Sequence, residues 1–469
     1  MSPAFFIWRE AGCSVCYYFA HMPSEESRPV ASRRAAKWSL AILVAINILN
    51  FYDRHVAGAV VEPVRKEFLL SDTQIGWINT AFTVLYGLVG LPLGLMADRL
   101  SRKKLLAAGI VVWAALTAGA RWVFSYPMLV LTRLGVGVGE ATCAPAATSW
   151  IGDLYPPEKR ARPLAIFMLG VPVGGALSFF FSGPIAQRFG WRAAMMLAAV
   201  PALLLIPLLL ALGEPVRGAA EKKEALPAGS IRQLLAVPTF WWIVISGVLV
   251  NFALYAIGTF LPALFGRVYH MKVGKAGIST GIVYAVGGLL GGLIGGNLGN
   301  SRLCRAPGGR MLIAAVASAV AVPFSYFGIA GSSDLNQSIV LLALAYGLLN
   351  MYYGLVYASL QDIVVPALRG TSMAIYFVVM YLGGASWGTV IIGKLSDRFA
   401  RNAALLAGSA KVTEVFRALG LQKAMLAIPV LSIVLAVVLW AGSKTIGDDI
   451  QRSRSAAAKS AMQESGAAL

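Results

Sequence analysis

The chain has 469 residues, of which 58% are hydrophobic and only 13% charged, with a mean hydropathy of +0.71. Soluble domains carry roughly twice that share of charge, so a soluble enzyme, a disordered chain and a fibrous protein are excluded. The net charge of +19 would suit nucleic acid, but no nucleic-acid-binding motif accompanies it and Lys and Arg collect on the inner loops of membrane proteins, so no nucleic-acid partner is expected.

Apolar segments of spanning length follow one another at 38–61, 75–97, 105–124, 127–152, 163–187, 193–213, 239–265, 276–299, 310–330, 338–362, 371–396 and 423–442. A helix crossing a bilayer needs roughly 20 such residues, and lipid offers no partner to an unpaired backbone group, so these segments must be helical. The expected fold class is all-α: a membrane protein of twelve transmembrane helices in two six-helix halves. Residues 1–37 are expected to be a cytoplasmic N-terminal segment, too broken by Arg9 and Glu10 to serve as a signal peptide. The first half then covers 38–213, a charged central loop 214–237, the second half 238–442 and a solvated tail 443–469. Cys13, Cys16, Cys143 and Cys304 are too scattered for a disulfide framework or a metal site, and no cofactor is expected.

With the N-terminus inside, the inner loops and tails carry 24 Lys and Arg against 12 on the outer side. That bias places both termini in the cytoplasm. The halves also repeat at an offset of 209 residues. Asp153-Leu154-x-x-Pro157-x-x-Arg160 returns as Asp362-Ile363-x-x-Pro366-x-x-Arg369, and Gly174-Gly175-Ala176 returns as Gly383-Gly384-Ala385. Six helices per repeat makes the repeats parallel, the plan of a rocking secondary transporter with its site between the halves near mid-membrane.

Between the second and third segments the chain reads Gly94-x-x-x-Asp98-Arg99-x-Ser101-Arg102-Lys103. This resembles the major facilitator signature G-x-x-x-D-R-x-G-R-K, with Ser101 in place of the last glycine. The resemblance implies a cytoplasmic gate made by Gly94, Asp98, Arg99, Arg102 and Lys103. Asp98 would then sit near the start of helix eleven, at Thr371 and Ser372, where the helix dipole favours an anion. The second-half copy keeps Gly296-x-x-x-Asn300 but has Ser301 in place of Arg, so the lock is expected to be asymmetric. Gly135, Gly137 and Gly139 lie inside a span with no strand before them and are not a nucleotide loop. Small residues every four positions, at Gly170, Gly174, Ser178 and Ser182 and again at Gly287, Gly291, Gly295 and Gly299, mark close helix contacts.

Asn50-Phe51-Tyr52-Asp53-Arg54, Leu131-Thr132-Arg133, Gly137-Val138-Gly139-Glu140-Ala141 and Asp153-Leu154-Tyr155 are similar to the spinster family of major facilitator transporters. The likeness is densest over 47–192. Animal spinster proteins move lysolipids and sphingoid phosphates, which implies an amphiphilic, anionic, lipid-like substrate. The 26 Arg against 14 Lys suggest a bacterial member, in the cell membrane.

Among acidic residues only Asp53 and Glu140 fall deep within spans, and among basic ones only Arg54 and Arg133. A charge at the bilayer centre costs at least about 2.5 kcal/mol on insertion scales, so such residues face a cavity and pair. At about 1.5 Å per residue, Arg54 lies roughly 24 Å and Glu140 roughly 18 Å from the inner ends of their helices, a depth that supports their pairing, and Asp53 and Arg133 are also within reach of one another. Asp53 and Glu140 are the candidate proton carriers. Arg54 and Arg133 would bind an anionic head, with Glu140 holding both when the site is empty. Asn50 shares a face with Arg54. Opposite them, Asn251, Tyr255, Asn350 and Tyr353 offer an aromatic, apolar wall that suits the tail of an amphiphile. A purely structural ion-pair network is the competing reading; the repeat offers it no counterpart, since positions 342 and 349 are leucines. The expected function is proton-coupled transport by a monomer, with membrane lipids, a small amphiphile and the proton as partners. Export of apolar cations and facilitative transport remain alternatives. An intramembrane enzyme is not expected: His-Glu-x-x-His, Gly-x-Ser-Gly and Gly-x-Gly-Asp are all missing.

Overall fold

In the computed structural model the described residues are 33–156, 159–217, 231–299, 301–304, 306–331, 334–364 and 368–467. The Cys13–Cys16 pair, the charged centre of the loop at 218–230, Asn300 and Pro366 lie outside them, as does the side chain of Asp98. The first half of the chain forms α1 (Arg33–Ala59), α2 (Val61–Phe68), α3 (Asp72–Arg99), α4 (Arg102–Gly119), α5 (Tyr126–Glu140), α6 (Cys143–Leu154), α7 (Ala161–Met168), α8 (Gly170–Phe189) and α9 (Trp191–Ala211). The second half forms α10 (Ile231–Leu235), α11 (Pro238–Val268), α12 (Val273–Ile282), α13 (Leu289–Gly299), α14 (Gly309–Tyr326), α15 (Leu335–Asp362), α16 (Arg369–Val379), α17 (Ser386–Leu406), α18 (Glu414–Met425) and α19 (Ala427–Ala467). π-Helical turns at Val283–Gly288 and Met380–Ala385 join α12 to α13 and α16 to α17. The last helix does not stop near 442 but runs on to Ala467.

Among the described residues, eleven helices are long and apolar enough to cross a bilayer. The predicted fourth span differs. It is divided into α5 and α6, of 15 and 12 residues. Pro145 has no N–H to give the Ala141 carbonyl, which breaks the ladder there. Thr142 Oγ1 instead bonds back to the Gly139 carbonyl at 2.8 Å, a local bond that competes with the helix. Glu140 is the last residue before this break.

The small-residue stripes lie against neighbouring helices. An added Cβ on Gly174 would stand 2.3 Å from the Ile48 carbonyl oxygen and 2.8 Å from Phe51 Cβ, and one on Gly291 would stand 2.1 Å from the Gly347 oxygen. Gly174 therefore sets how closely α8 rests on α1, next to Asn50 and Asp53. Gly174→Ala is expected to cost about 1–3 kcal/mol by overpacking and to lower the melting temperature of the purified protein. An unchanged melting curve would show that the contact is soft.

The two halves meet at the end of the bundle away from residues 212–217 and 231–237, the outer end in the predicted orientation. There an added Cβ on Gly58 would stand 2.3 Å from the Gly258 oxygen, and one on Gly76 would stand 2.5 Å from the Thr389 oxygen. One hydrophobic core joins the halves at that end: Val56, Val60, Ile75 and Phe179 pack in it with Ile257, Phe260 and Leu264. A second core, around Leu106, Trp113, Val136 and Trp150, is built from first-half residues. α16 touches α3 only lightly, whereas α17 packs along it.

Candidate functional site

Asp53 and Arg54 are neighbours on α1, and successive residues of a helix point about 100° apart. The two charges therefore meet different partners. Asp53 Oδ2 accepts a hydrogen bond from Thr117 Oγ1 of α4 at 2.9 Å and lies 3.8 Å from Arg133 Nη1 of α5. Arg54 Nε and Nη2 both stand 3.0 Å from Glu140 Oε2, at the end of α5. Asp53 and Glu140 are fully buried, and Arg54 and Arg133 are 8% and 2% exposed. All four charges thus form one cluster inside the first half. The expectation that Glu140 holds both arginines is corrected: Glu140 takes Arg54, while Arg133 stands beside Asp53 and points Nη2 at Met195 Sδ, 3.2 Å away on α9.

The Arg54 guanidinium is enclosed by aromatic rings, 4.3 Å from the Tyr86 centroid, 4.5 Å from Phe51 and 5.3 Å from Phe82. Such desolvated cation–π contacts contribute about 2 kcal/mol. Tyr255 and Tyr381 of the second half stand beside it, and Tyr381 packs edge-on to Tyr86 at 5.0 Å. Arg54 is thus a side chain that both halves surround. Tyr86, Phe82, Thr117, Met195 and Tyr381 were not anticipated from the sequence. Phe82 and Tyr86 are four residues apart on α3 and so share a face, but aromatic pairs are too common in spans for that to stand out.

Several polar atoms of the cluster are buried with no partner: Asn50 Nδ2, Arg54 Nη1 and Arg133 Nε among donors, and Asp53 Oδ1 and Glu140 Oε1 among acceptors. The Asp53 and Glu140 carboxyls come within hydrogen-bonding reach of each other. Two carboxyl groups can bond only when one of them carries a proton. Asn50 otherwise offers its Oδ1 to Arg54 at 3.5 Å.

The remaining predicted residues lie on the second half. Asn251 Oδ1 accepts from the Tyr353 hydroxyl at 3.0 Å, and its Nδ2 donates to the Gly247 carbonyl at 2.9 Å. Tyr353 continues into a ring cluster with Tyr352, Tyr357 and Tyr376. Asn350 is turned onto its own helix, donating to the Tyr346 carbonyl at 2.8 Å.

At the opposite, inner end, Arg102 is buried and anchors the loop within the first half. It pairs with Asp153, donates Nη1 to the Ser149 carbonyl at 3.1 Å and meets Glu214 at 3.2 Å. Ser101 Oγ donates to Glu214 at 2.6 Å, and Lys103 Nζ donates to the carbonyls of Leu210 and Leu212. Burial works to raise Glu214, but the Ser101 hydroxyl and the amide and guanidinium of Arg102 hold its carboxyl below the ordinary range. Arg99 is exposed, and an added Cβ on Gly94 would meet only Pro145, at 3.9 Å. The second-half loop copy runs through Asn300, outside the described residues. Arg310 pairs with Asp362 at 2.5 Å, the second-half equivalent of Arg102 with Asp153.

Residues 43–388 match the family model described as Major Facilitator Superfamily. The chain belongs to the major facilitator superfamily. It is a transporter rather than an enzyme, and of the spinster type. It is 28% identical to human protein spinster homolog 1 over 389 residues, covering 77% of this chain and 73% of that protein. It is 29% identical over 371 residues to an MFS-type efflux pump of Mycolicibacterium smegmatis, covering 78% and 85%. Among solved structures it is similar to a bacterial homologue of the human lysosomal transporter spinster, in an inward-facing, unoccupied conformation. The TM-score there is 0.80 at 26% identity, covering 89% of this chain and 99% of the other.

Proposed function

We propose that this superfamily member is a proton-coupled secondary transporter that moves an anionic, lipid-like amphiphile by alternating access. The observation that carries the reading is the buried cluster: two arginines and two carboxyls of cancelling charge, with arginine and amide donors left unpartnered at its centre. Arg54, Arg133 and Asn50 would take the head group. Arginine suits a phosphate or carboxylate because its planar donors bind in pairs and keep their charge when desolvated. The proton would be carried by Asp53 and Glu140. Tyr255, Tyr353, Asn251 and Asn350 would line the side that receives the apolar tail. Gly94, Asp98, Arg99, Arg102 and Lys103 would form the inner gate. We further propose twelve spans in two six-helix halves, counting α5 and α6 as one, with both termini cytoplasmic, and a monomer in a bacterial cell membrane. The substrate class rests on the resemblance to the spinster family, with which similarity to human protein spinster homolog 1 accords.

Similarity to a relative named an efflux pump favours a second reading, export of apolar cations with Asp53 and Glu140 as the binding groups. Proteoliposomes with an imposed pH gradient separate the two. Labelled lysolipids and sphingoid phosphates are expected to accumulate over protein-free vesicles by up to about tenfold per pH unit of gradient, the limit for one proton per substrate at about 1.4 kcal/mol per unit. Preference for cationic amphiphiles would replace this reading with the second. Saturable uptake that ignores the gradient would remove the proton from it.

A further inference from the structure

The far end of helix eleven repeats the gate signature. Gly393-x-x-x-Asp397-Arg398 on α17 matches Gly94-x-x-x-Asp98-Arg99 on α3 in spacing and residue type. The two helices run antiparallel along each other: Gly76 lies at Thr389 and Val390, Thr80 at Ser386, and Gly87 at Leu382. The two copies therefore stand towards opposite ends of one helix pair: Gly393 and Asp397, midway along α17, lie beside the N-terminus of α3, and Gly94 and Asp98 lie near the C-terminus of α3.

The outer copy is seated, and its geometry explains the spacing. A Cβ on Gly393 would stand 2.2 Å from the Asp72 carbonyl oxygen, so glycine lets α17 rest on the first turn of α3. One turn later, Asp397 accepts hydrogen bonds from the Asp72 amide at 3.1 Å, the Thr73 amide at 2.9 Å and Thr73 Oγ1 at 2.6 Å. A helix N-terminus has unpaired N–H groups and a positive dipole end, and a carboxylate satisfies both. The Asp72 side chain is then fixed by Ser396 Oγ at 2.6 Å and by both terminal nitrogens of Arg267 at 2.8 Å, and Arg267 Nε reaches Glu62 at 2.8 Å. Every one of these contacts but the three of Arg267 joins α3 to α17, and Arg267 adds α11. At the inner end Gly94 has only its own half beside it.

We propose that the two copies are reciprocal latches on a single helix pair. Gly393 and Asp397, seated on the N-terminus of α3, hold the outer end shut. They release when Gly94 and Asp98 seat on the N-terminus of α16, because rocking of stiff helices about their crossing point opens one end as it closes the other. This rests on the alternating-access reading above. The test is pairwise spin-label distances across the outer end and across the inner end, in the unliganded full chain in lipid nanodiscs, with folding checked by circular dichroism and gel filtration. Asp397→Asn removes the charge with little change of shape, and Gly393→Ala pushes the seated helices apart. Each is expected to raise the outer-open population about fivefold or more, the scale of one helix-end charge contact. Asp98→Asn is expected to lower it. Folded Asp397→Asn and Gly393→Ala proteins with wild-type outer distances, when the wild type does show an outer-open population under proton or amphiphile load, would overturn the latch alone. A wild type that never populates an outer-open state under any load would overturn alternating access as well.

Discussion

Asp53→Asn is expected to abolish pH-gradient-driven uptake while the protein still folds and inserts. Asp53 is fully buried, and its Oδ2 faces the Thr117 hydroxyl and Arg133. Asparagine keeps the shape and can still accept from Thr117, so packing survives. It cannot bind and release a proton, and it leaves Arg133 without its counter-charge. Breaking a buried pair in this way typically costs 3–5 kcal/mol, so a lower melting temperature should accompany the loss. The measurement is uptake into proteoliposomes with and without the gradient, beside counterflow at equal pH. Counterflow should persist, because exchange needs no net proton movement. Normal gradient-driven uptake by the variant would remove Asp53 as the coupling group.

Arg54→Lys should lose affinity for an anionic amphiphile by about tenfold to a hundredfold, the worth of a charge-assisted contact of about 1.5–3 kcal/mol. Lysine keeps the charge but not the plane that Tyr86 and Phe51 enclose, nor the paired donors facing Glu140. The pairing observed in the structure chooses the control. Glu140 belongs to Arg54, so Arg54→Ala with Glu140→Ala is the charge-balanced double variant. If Arg54 only neutralises Glu140, the double variant should bind as the wild type does. If Arg54 holds the head group, the double variant should bind no better than Arg54→Ala. Titration of one lysolipid against the four proteins reads the result, and recovery in the double variant would end the recognition role.

The four buried charges were legible from sequence because a charge inside a span is so costly that each must have a reason to be there. Depth along the helices also indicated their pairing, Arg54 with Glu140 and Asp53 with Arg133, as the structure has it; what depth did not indicate is that Glu140 leaves Arg133 alone. Residues seven apart, such as Arg133 and Glu140, share a face of an ideal helix, but sharing a face does not make a contact when a third helix supplies a better partner, as α1 does. The rings around Arg54 were hidden for a different reason: in a chain this rich in apolar residues Phe82 and Tyr86 look like packing. The division of helix four was also written in the chain, at Pro145, yet hydropathy reads straight through it. The inner loop drew attention because Gly94-x-x-x-Asp98-Arg99 in a basic turn resembles a known signature. Its outer copy sits at Gly393 and Asp397 inside a longer helix, where the meaning of the spacing shows only once the first turn of α3 lies against it.

The cancelling charges of Asp53, Glu140, Arg54 and Arg133 have an electrical consequence. Carrying one net charge across a membrane does about 2.3 kcal/mol of work per 100 mV. With both carboxylates ionised and no substrate bound, the site sums to zero. With one proton and one monovalent anion aboard, it sums to zero again. In the proposed cycle neither form that changes sides is pushed or held back by voltage, and the pH difference together with the amphiphile's own gradient sets the direction of travel.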